Sequence, residues 1–426
     1  MNYLDSKGKR RVVITGGGML TALGEKWSDV LAKLKSGKNC IKYIKDWERF
    51  DKMNTRLACP YEGELPVFPR KKIRGMGRVA LLSLAATEQA LKSAGLKITE
   101  GENAGDIVEE LHNGRTGIAY GSCMGSMDSI CDMFSMIQDN DTSKINSQTY
   151  IKCMPQTCAA NLSVFYSLRG RIITTNTACT SGSQAIGYAY EAIKNGMQDI
   201  MIAGGAEELV PPDAAAFDAM GATAIKNETP ESEPKPFDAA RDGLVIGEGA
   251  GTVILEDLEH AVKRGAHIFA EVAGFGTNCD GTHITNPNAQ TMAQALKLAL
   301  DDAGISPDQI DYVNAHGTST HTGDIAESQA TYSVFQRAVP ISSTKSYIGH
   351  TLGACGCVES WITVNMMNEG WFHPTVNLTQ VDSECAPLDY IKNEGRKIEA
   401  RYVMSNNFAF GGINTSLVFK KFSESE

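Results

Sequence analysis

The sequence predicts two fused α/β halves, each with its own sheet and covering helices. One order of elements occurs twice: a helix, a glycine stop, a variable loop, a strand and a polar turn, over 79–125 and again over 291–318. A chain of 426 residues with 42% hydrophobic content is enough for a large core or two joined ones. The expected division falls between 265 and 266, with inserted loops in the first half.

Each element has a local reason. Arg10-Arg-Val-Val-Ile-Thr-Gly-Gly-Gly18 reads as a strand ending in a glycine turn. A dinucleotide fingerprint fails there, because Thr21 stands at the third glycine position and no acidic residue follows where a ribose partner belongs. Residues 27–36 read as a helix stopped at Gly37, and 46–69 are turn-rich. Pro69-Arg-Lys-Lys-Ile-Arg-Gly-Met-Gly-Arg78 is the densest basic run, a solvated helix start on charge alone. A helix over 79–94 closes at Gly95, and a strand over 115–121 leads into Ser122-Cys-Met-Gly125.

Arg171-Ile-Ile-Thr-Thr175 is β-branched and reads as a buried strand. It feeds the turn Asn176-Thr-Ala-Cys-Thr-Ser-Gly-Ser183. The helix after it carries Ala185, Ile186, Ala189, Ala192 and Ile193 on one face and stops at Asn195-Gly196. Residues 199–206 read as a strand then a turn, 252–256 as a strand and 257–264 as a helix. The glycines beside charges in 236–251 read as a folded functional loop. A helix over 291–303 stops at Gly304-Ile305, and a strand over 311–315 leads into His316-Gly-Thr318.

Composition narrows the function. A formal net charge of −10 argues against nucleic acid as the main partner. No apolar stretch reaches membrane length, and 1–11 are polar and charged, unlike a signal peptide. Eleven scattered cysteines, an odd count, suit a reducing cytoplasm rather than a disulfide framework.

Cys179 is expected on a strand-to-helix turn, where unpaired N–H groups and the helix dipole favour a thiolate. Three further polar turns follow strands: His316-Gly-Thr-Ser-Thr-His-Thr-Gly-Asp324, Lys345-Ser-Tyr-Ile-Gly-His350 and Asn406-Asn-Phe-Ala-Phe-Gly-Gly-Ile-Asn414. Strand ends of α/β sheets are where sites form, and Cys with His is a nucleophile with its partner. A Cys-His hydrolase would use the same groups, with His316 or His350 as base and Asn314 or Asn414 as orienter. A metal reading finds no Cys-x-x-Cys pair, and Cys355-Gly-Cys357 lies in an Ala/Gly helical run.

Five motifs in order make the chain resemble the elongating β-ketoacyl-[acyl-carrier-protein] synthases of the thiolase-like superfamily. They are Thr177-Ala-Cys-Thr-Ser-Gly182; Lys235-Pro-Phe-Asp with Arg241-Asp-Gly and Gly247-Glu-Gly-Ala-Gly; His316-Gly-Thr-Ser-Thr; Lys345-Ser with Gly349-His350; and Asn407-Phe-Ala-Phe-Gly-Gly412. The resemblance runs from the Val12 strand to Lys421. It implies a duplicated α-β-α-β-α layering with two mixed sheets. It also implies an acyltransferase that condenses malonyl-carrier protein with an acyl chain on Cys179, with loss of CO₂.

The resemblance gives His316 and His350 hydrogen-bond donation to the malonyl thioester, and Lys345 a positive potential that orders them. It gives Phe410 a gating role and, with Cys179, an oxyanion hole of backbone N–H groups. Gly411 would let the gate move, while Phe408 packs. Thr318 and Thr320 match pantetheine-binding threonines. Met124 and Leu244 fall along the acyl substrate's path, and Lys71 and Arg74 fall where the acidic carrier protein docks. Asn314, Glu359, Ser405 and Asn406 match a monovalent cation site. No cofactor of its own is implied, since the phosphopantetheine belongs to the carrier protein. A homodimer is expected, and the alternative is a heterodimer with a chain-length-factor-like subunit in polyene lipid synthesis. A degradative thiolase would need a second cysteine near the C-terminus; the last here, Cys385, lies outside the Gly-rich turns. His321, Leu244 and Ala409 depart from the usual proline, phenylalanine and glycine, which leaves the acyl substrate open.

Overall fold

The computed structural model describes residues 2–97 and 111–423. The variable loop of the first half falls largely outside them. Ten strands build the main array: β1 Val12–Leu20, β2 Thr116–Gly121, β3 Ile172–Thr174, β4 Ile200–Glu207, β5 Gly249–Asp257, β6 Ala270–Cys279, β7 Tyr312–Asn314, β8 Pro340–Ser342, β9 Tyr402–Ala409 and β10 Ile413–Lys420. In the first half they lie β3-β2-β4-β5-β1, and in the second β8-β7-β9-β10-β6. The order is the same in both halves: third, second, fourth, fifth, first. So are the directions, with the outer pairs parallel and the last two pairs antiparallel. The fold is therefore duplicated, with a mixed sheet in each half. The two sheets meet edge to edge where Val12–Ile14 pair with Ala270–Val272. The two-residue strand Asp389–Tyr390 caps the far edge, beside β8.

Five helices set the layers: α1 Arg78–Ser93, α2 Ser181–Lys194, α3 Ala289–Ala303, α4 His321–Phe335 and α5 Cys355–Glu369. The buried α2 and α5 pack together between the sheets, in one core with Ile14, Val253, Val403 and Leu417. From Cys355 to Met367 every residue of α5 is buried, as expected of a helix enclosed on all sides. On the outer faces, α1 covers the first half's sheet, and α3 and α4 cover the second's.

Three sequence expectations are corrected. Gly16, Gly17 and Gly18 lie inside β1 rather than in a turn. A Cβ at Gly16 would stand 2.4 Å from the Ala90 carbonyl oxygen of α1, and one at Gly18 2.3 Å from that of Ala86. These glycines let a helix backbone rest directly on the strand. Strand β3 is not buried: it is the sheet edge, and Ile172 is 53% exposed. Residues Asn406 and Asn407 belong to β9, and the turn begins only at Phe410.

Candidate active site

Cys179 lies in a single turn of 3₁₀ helix, Ala178–Thr180, between β3 and α2. Ala178 has φ of 49°, left-handed for a residue with a Cβ, which costs roughly 1–3 kcal/mol unless neighbours over-determine it. They do: Ser181 Oγ donates to the Ala178 carbonyl at 2.7 Å and accepts the Thr177 N–H at 3.0 Å. The starts of α2 and α5 press together through glycine. A Cβ at Gly356 would stand 2.4 Å from the Ser183 nitrogen.

His316 follows β7 on a turn held by carboxylates. Glu327 accepts the N–H groups of His316 and Gly317, each at 2.7 Å. Asp324 accepts those of Phe237 at 2.7 Å and Ser319 at 3.1 Å, with Arg241 3.5 Å away. The Lys235-Pro-Phe-Asp and Arg241-Asp-Gly segments therefore shape the His316 turn. His350 follows the short helix Lys345–Ile348. Its N–H donates to the Val245 carbonyl at 2.7 Å, and its Nδ1 accepts the Leu352 N–H at 3.2 Å. That leaves the proton on Nε2, which is buried without a hydrogen-bond partner among the described residues.

The Cys179 sulfur and one nitrogen of each ring lie within 4.8 Å of one another. The rings meet edge to face, with centroids 5.1 Å apart. All three residues are buried, His350 to 2% exposure, and line one cavity of about 600 Å³. Thr318, Thr320, Leu244, Phe408 and Phe410 line it too. The two threonine hydroxyls bond each other at 2.9 Å.

Electrostatics decide between a metal and a nucleophile. Burial and then the Lys345 ammonium hold both imidazoles well below their usual range, so they are neutral. The expected easy ionisation of Cys179 is not found. Burial pushes its thiol up to about 11, only partly offset by Lys345 and by the backbone N–H groups of Phe410 and Cys179. A metal among these ligands would face the Lys345 cation, so the arrangement favours a thiol nucleophile with two neutral donors. His321, Asp382 and Glu384 also cluster, but His321 and Glu384 are exposed and Asp382 is paired with Arg241 at 2.6 Å.

Lys345 is buried beneath the triad and donates to Glu359 Oε1 at 2.5 Å. Burial pulls its ammonium down, but Glu359 and Cys355 together raise it, so it stays charged. Asn407 Nδ2 donates to Glu359 Oε2 at 2.9 Å, and Asn314 donates to Ser405 at 3.2 Å. Residue alternation along β9 turns the Asn406 side chain to the opposite face, with Met404 and Phe408. Both its polar atoms lack hydrogen-bond partners among the described residues. The Asn406 side chain thus points away from Glu359, which serves as the counter-charge of Lys345.

Phe410 starts the turn after β9 and stacks on Phe217 at 5.1 Å. Gly411 and Gly412 follow at φ of 85° and 68°, where a side chain would be strained. Gly411 is exposed, and with Lys345 and Met124 it stands outside the cavity lining. Met124 is held on its own loop, where its carbonyl accepts Ser122 Oγ at 2.5 Å. Lys71 and Arg74 are exposed in turns before α1. Sequence reading missed Phe217, Glu327 and Asn407. Pro211-Pro212 ahead of Asp-Ala-Ala-Ala-Phe217 could have flagged the helix Pro211–Ala219 that carries Phe217. Asn407 opens the Asn407-Phe-Ala-Phe-Gly-Gly412 motif, but which way its side chain faces depends on strand register; no local signal marks Glu327.

Known proteins share this architecture. The model of the β-ketoacyl synthase N-terminal domain matches residues 9–261, and that of its C-terminal domain 269–379. The chain is 38% identical to the 3-oxoacyl-[acyl-carrier-protein] synthase 2 of Vibrio harveyi, over 98% of this chain and 100% of that protein. It is similar to a crystal structure of a β-ketoacyl synthase from Burkholderia phymatum, with TM-score 0.93 and 53% identity over 97% of this chain and 100% of the other. The ishigamide ketosynthase/chain length factor is similar at TM-score 0.85 and 30% identity, over 97% and 100%. The chain belongs to the β-ketoacyl synthase family, acyltransferases of the thiolase-like superfamily.

Proposed function

We propose that this chain elongates an acyl group carried as a thioester on Cys179, with malonyl-[acyl-carrier-protein] as the two-carbon donor. The observation that carries the reading is the convergence of Cys179, His316 and His350 in one buried cavity. In the first step the Cys179 sulfur attacks the acyl thioester. A new C–S bond forms, the bond to the pantetheine sulfur breaks, and that sulfur leaves with the proton Cys179 gives up. The Cys179 and Phe410 N–H groups hold the oxyanion.

In the second step the malonyl thioester oxygen accepts from Nε2–H of both histidines. The C–C bond to the carboxylate breaks, CO₂ leaves, and its electron pair forms an enolate that those donors stabilise. The enolate carbon attacks the acyl carbonyl, a C–C bond forms, and Cys179 leaves as thiolate and takes up a proton. A donor of this kind contributes about 2.7–4 kcal/mol. Neutral imidazoles are required, and the structure supplies the reason for neutrality in burial and Lys345.

The remaining assignments belong to the same reading. Lys71 and Arg74 form a basic patch for the acidic carrier protein, and Thr318 and Thr320 face its pantetheine arm. A second copy covers the edge strand β3 and the exposed Phe134, Ile137, Tyr150 and Val164. The likeness to a ketosynthase/chain length factor supports a heterodimer as the second reading, with this chain as the ketosynthase. Met124 bounds the acyl chain near that interface. Residues 1–265 and 266–426 are the two halves. Among the described residues no helix is long and apolar enough to cross a membrane, which supports a cytoplasmic enzyme. The test is the purified chain with acyl- and malonyl-carrier protein: 3-oxoacyl product and CO₂ are expected, and full condensation by Cys179→Ala would overturn the reading.

A further inference from the structure

We propose that Asn407 is a positioning residue that fixes His316 in the tautomer with its proton on Nε2, the form able to donate to a thioester oxygen. This rests on the reading above and deepens it.

Lys345 occupies Glu359 Oε1. Asn407 Nδ2 donates to Oε2 at 2.9 Å, which fixes the amide's orientation, because a flip would set its carbonyl oxygen against the carboxylate. An amide nitrogen carries a second N–H. That N–H faces His316 Nδ1 at 3.4 Å, with only the weakly accepting Cys355 sulfur near it at 3.6 Å. A neutral imidazole has one donor and one acceptor nitrogen, so an N–H directed at Nδ1 puts the proton on Nε2. The backbone keeps this geometry rigid: Asn407 pairs with Thr415 across the β9–β10 ladder, and Thr415 Oγ1 donates to its carbonyl at 3.1 Å. His350 reaches the same tautomer through the Leu352 N–H. The two rings are set alike, one by backbone and one by a side chain. Asn407 also joins the Lys345–Glu359 pair to the His316 ring, so charge and proton position are fixed by one connected group.

The test uses the full chain labelled with ¹⁵N-histidine, its His316 signal identified by absence in His316→Ala. The expected spectrum shows the His316 proton on Nε2; a proton on Nδ1 overturns the proposal, even if neither Asn407 variant folds. Kinetically, Asn407→Asp presents only oxygen to Nδ1 and draws the proton there, whereas Asn407→Leu leaves the ring unbiased. Malonyl-carrier-protein decarboxylation relative to Cys179 acylation should fall by about 10²-fold or more in Asn407→Asp, and by less in Asn407→Leu. A merely structural role lowers acylation and decarboxylation alike in both variants, and an unchanged ratio in Asn407→Asp overturns the proposal. His316→Ala separates the two claims: if it keeps full decarboxylation, the role given to His316 fails, whatever Asn407 does.

Discussion

Replacing Lys345 by methionine keeps the length of the side chain and removes its charge. Lys345 and Glu359 are each 1% exposed in their side chains and 2.5 Å apart. Removing one partner strands the other's charge away from water, a loss of about 3–5 kcal/mol. Protonation of Glu359 relieves part of this, and the sign gives a pH signature. Burial already raises this carboxyl despite Lys345, and without the ammonium it rises further. A carboxyl raised in the fold contributes stability below its unfolded value, and that contribution is lost as pH rises through the folded value. The Lys345→Met penalty should therefore be small near about pH 4, below the unfolded carboxyl's value, and grow toward neutrality. Lys345→Met with Glu359→Leu removes both charges and should recover most of the stability but not the activity, since Lys345's share in holding the histidines neutral and the Glu359 anchor of Asn407 are both lost. Urea unfolding midpoints at several pH values measure this. A single-variant loss under about 1 kcal/mol, or a double variant no more stable than the single, would refute a buried ion pair that matters.

Other outcomes follow from the same site. Alkylation of Cys179 by iodoacetamide should keep accelerating through pH 8–10, because its thiol is pushed up to about 11; a plateau below pH 9 would contradict dominance by burial. Gly205→Ala places a Cβ 2.2 Å from the Gly353 carbonyl oxygen, so it should cost about 1–3 kcal/mol and lower activity by shifting the loop after His350, whereas unchanged activity would contradict the contact. Phe217→Ala removes the stack under Phe410, worth about 0.5–1.5 kcal/mol, and should change the rate of Cys179 acylation with little change in the unfolding midpoint.

Much of the site's chemistry was legible because it sits in contiguous motifs. The Cys179 turn and helix α2 follow from a β-branched run, small residues and an apolar face, with the stop at Asn195-Gly196. What the sequence hid was set by distant neighbours. The triple glycine of β1 looks like a turn by propensity, yet it exists because α1 lies on the strand. Strand β3 is apolar and β-branched, but its place at the sheet edge depends on pairing order. Asn406 and Asn407 are adjacent in the chain and face opposite sides of β9, so only the register shows which one reaches Glu359 and His316. The thiol's upward shift comes from enclosure by both halves, and enclosure outweighs the local dipole argument.

The most direct measurement is peptide mass spectrometry of the wild-type chain after brief exposure to acyl-carrier protein. All eleven cysteines are free thiols, and Cys123 and Cys355 interact electrostatically with Cys179. The account predicts an acyl group on the peptide carrying Cys179, discharged as 3-oxoacyl product when malonyl-carrier protein is added. An acyl group on another cysteine, or one on Cys179 that malonyl-carrier protein does not discharge, would contradict it.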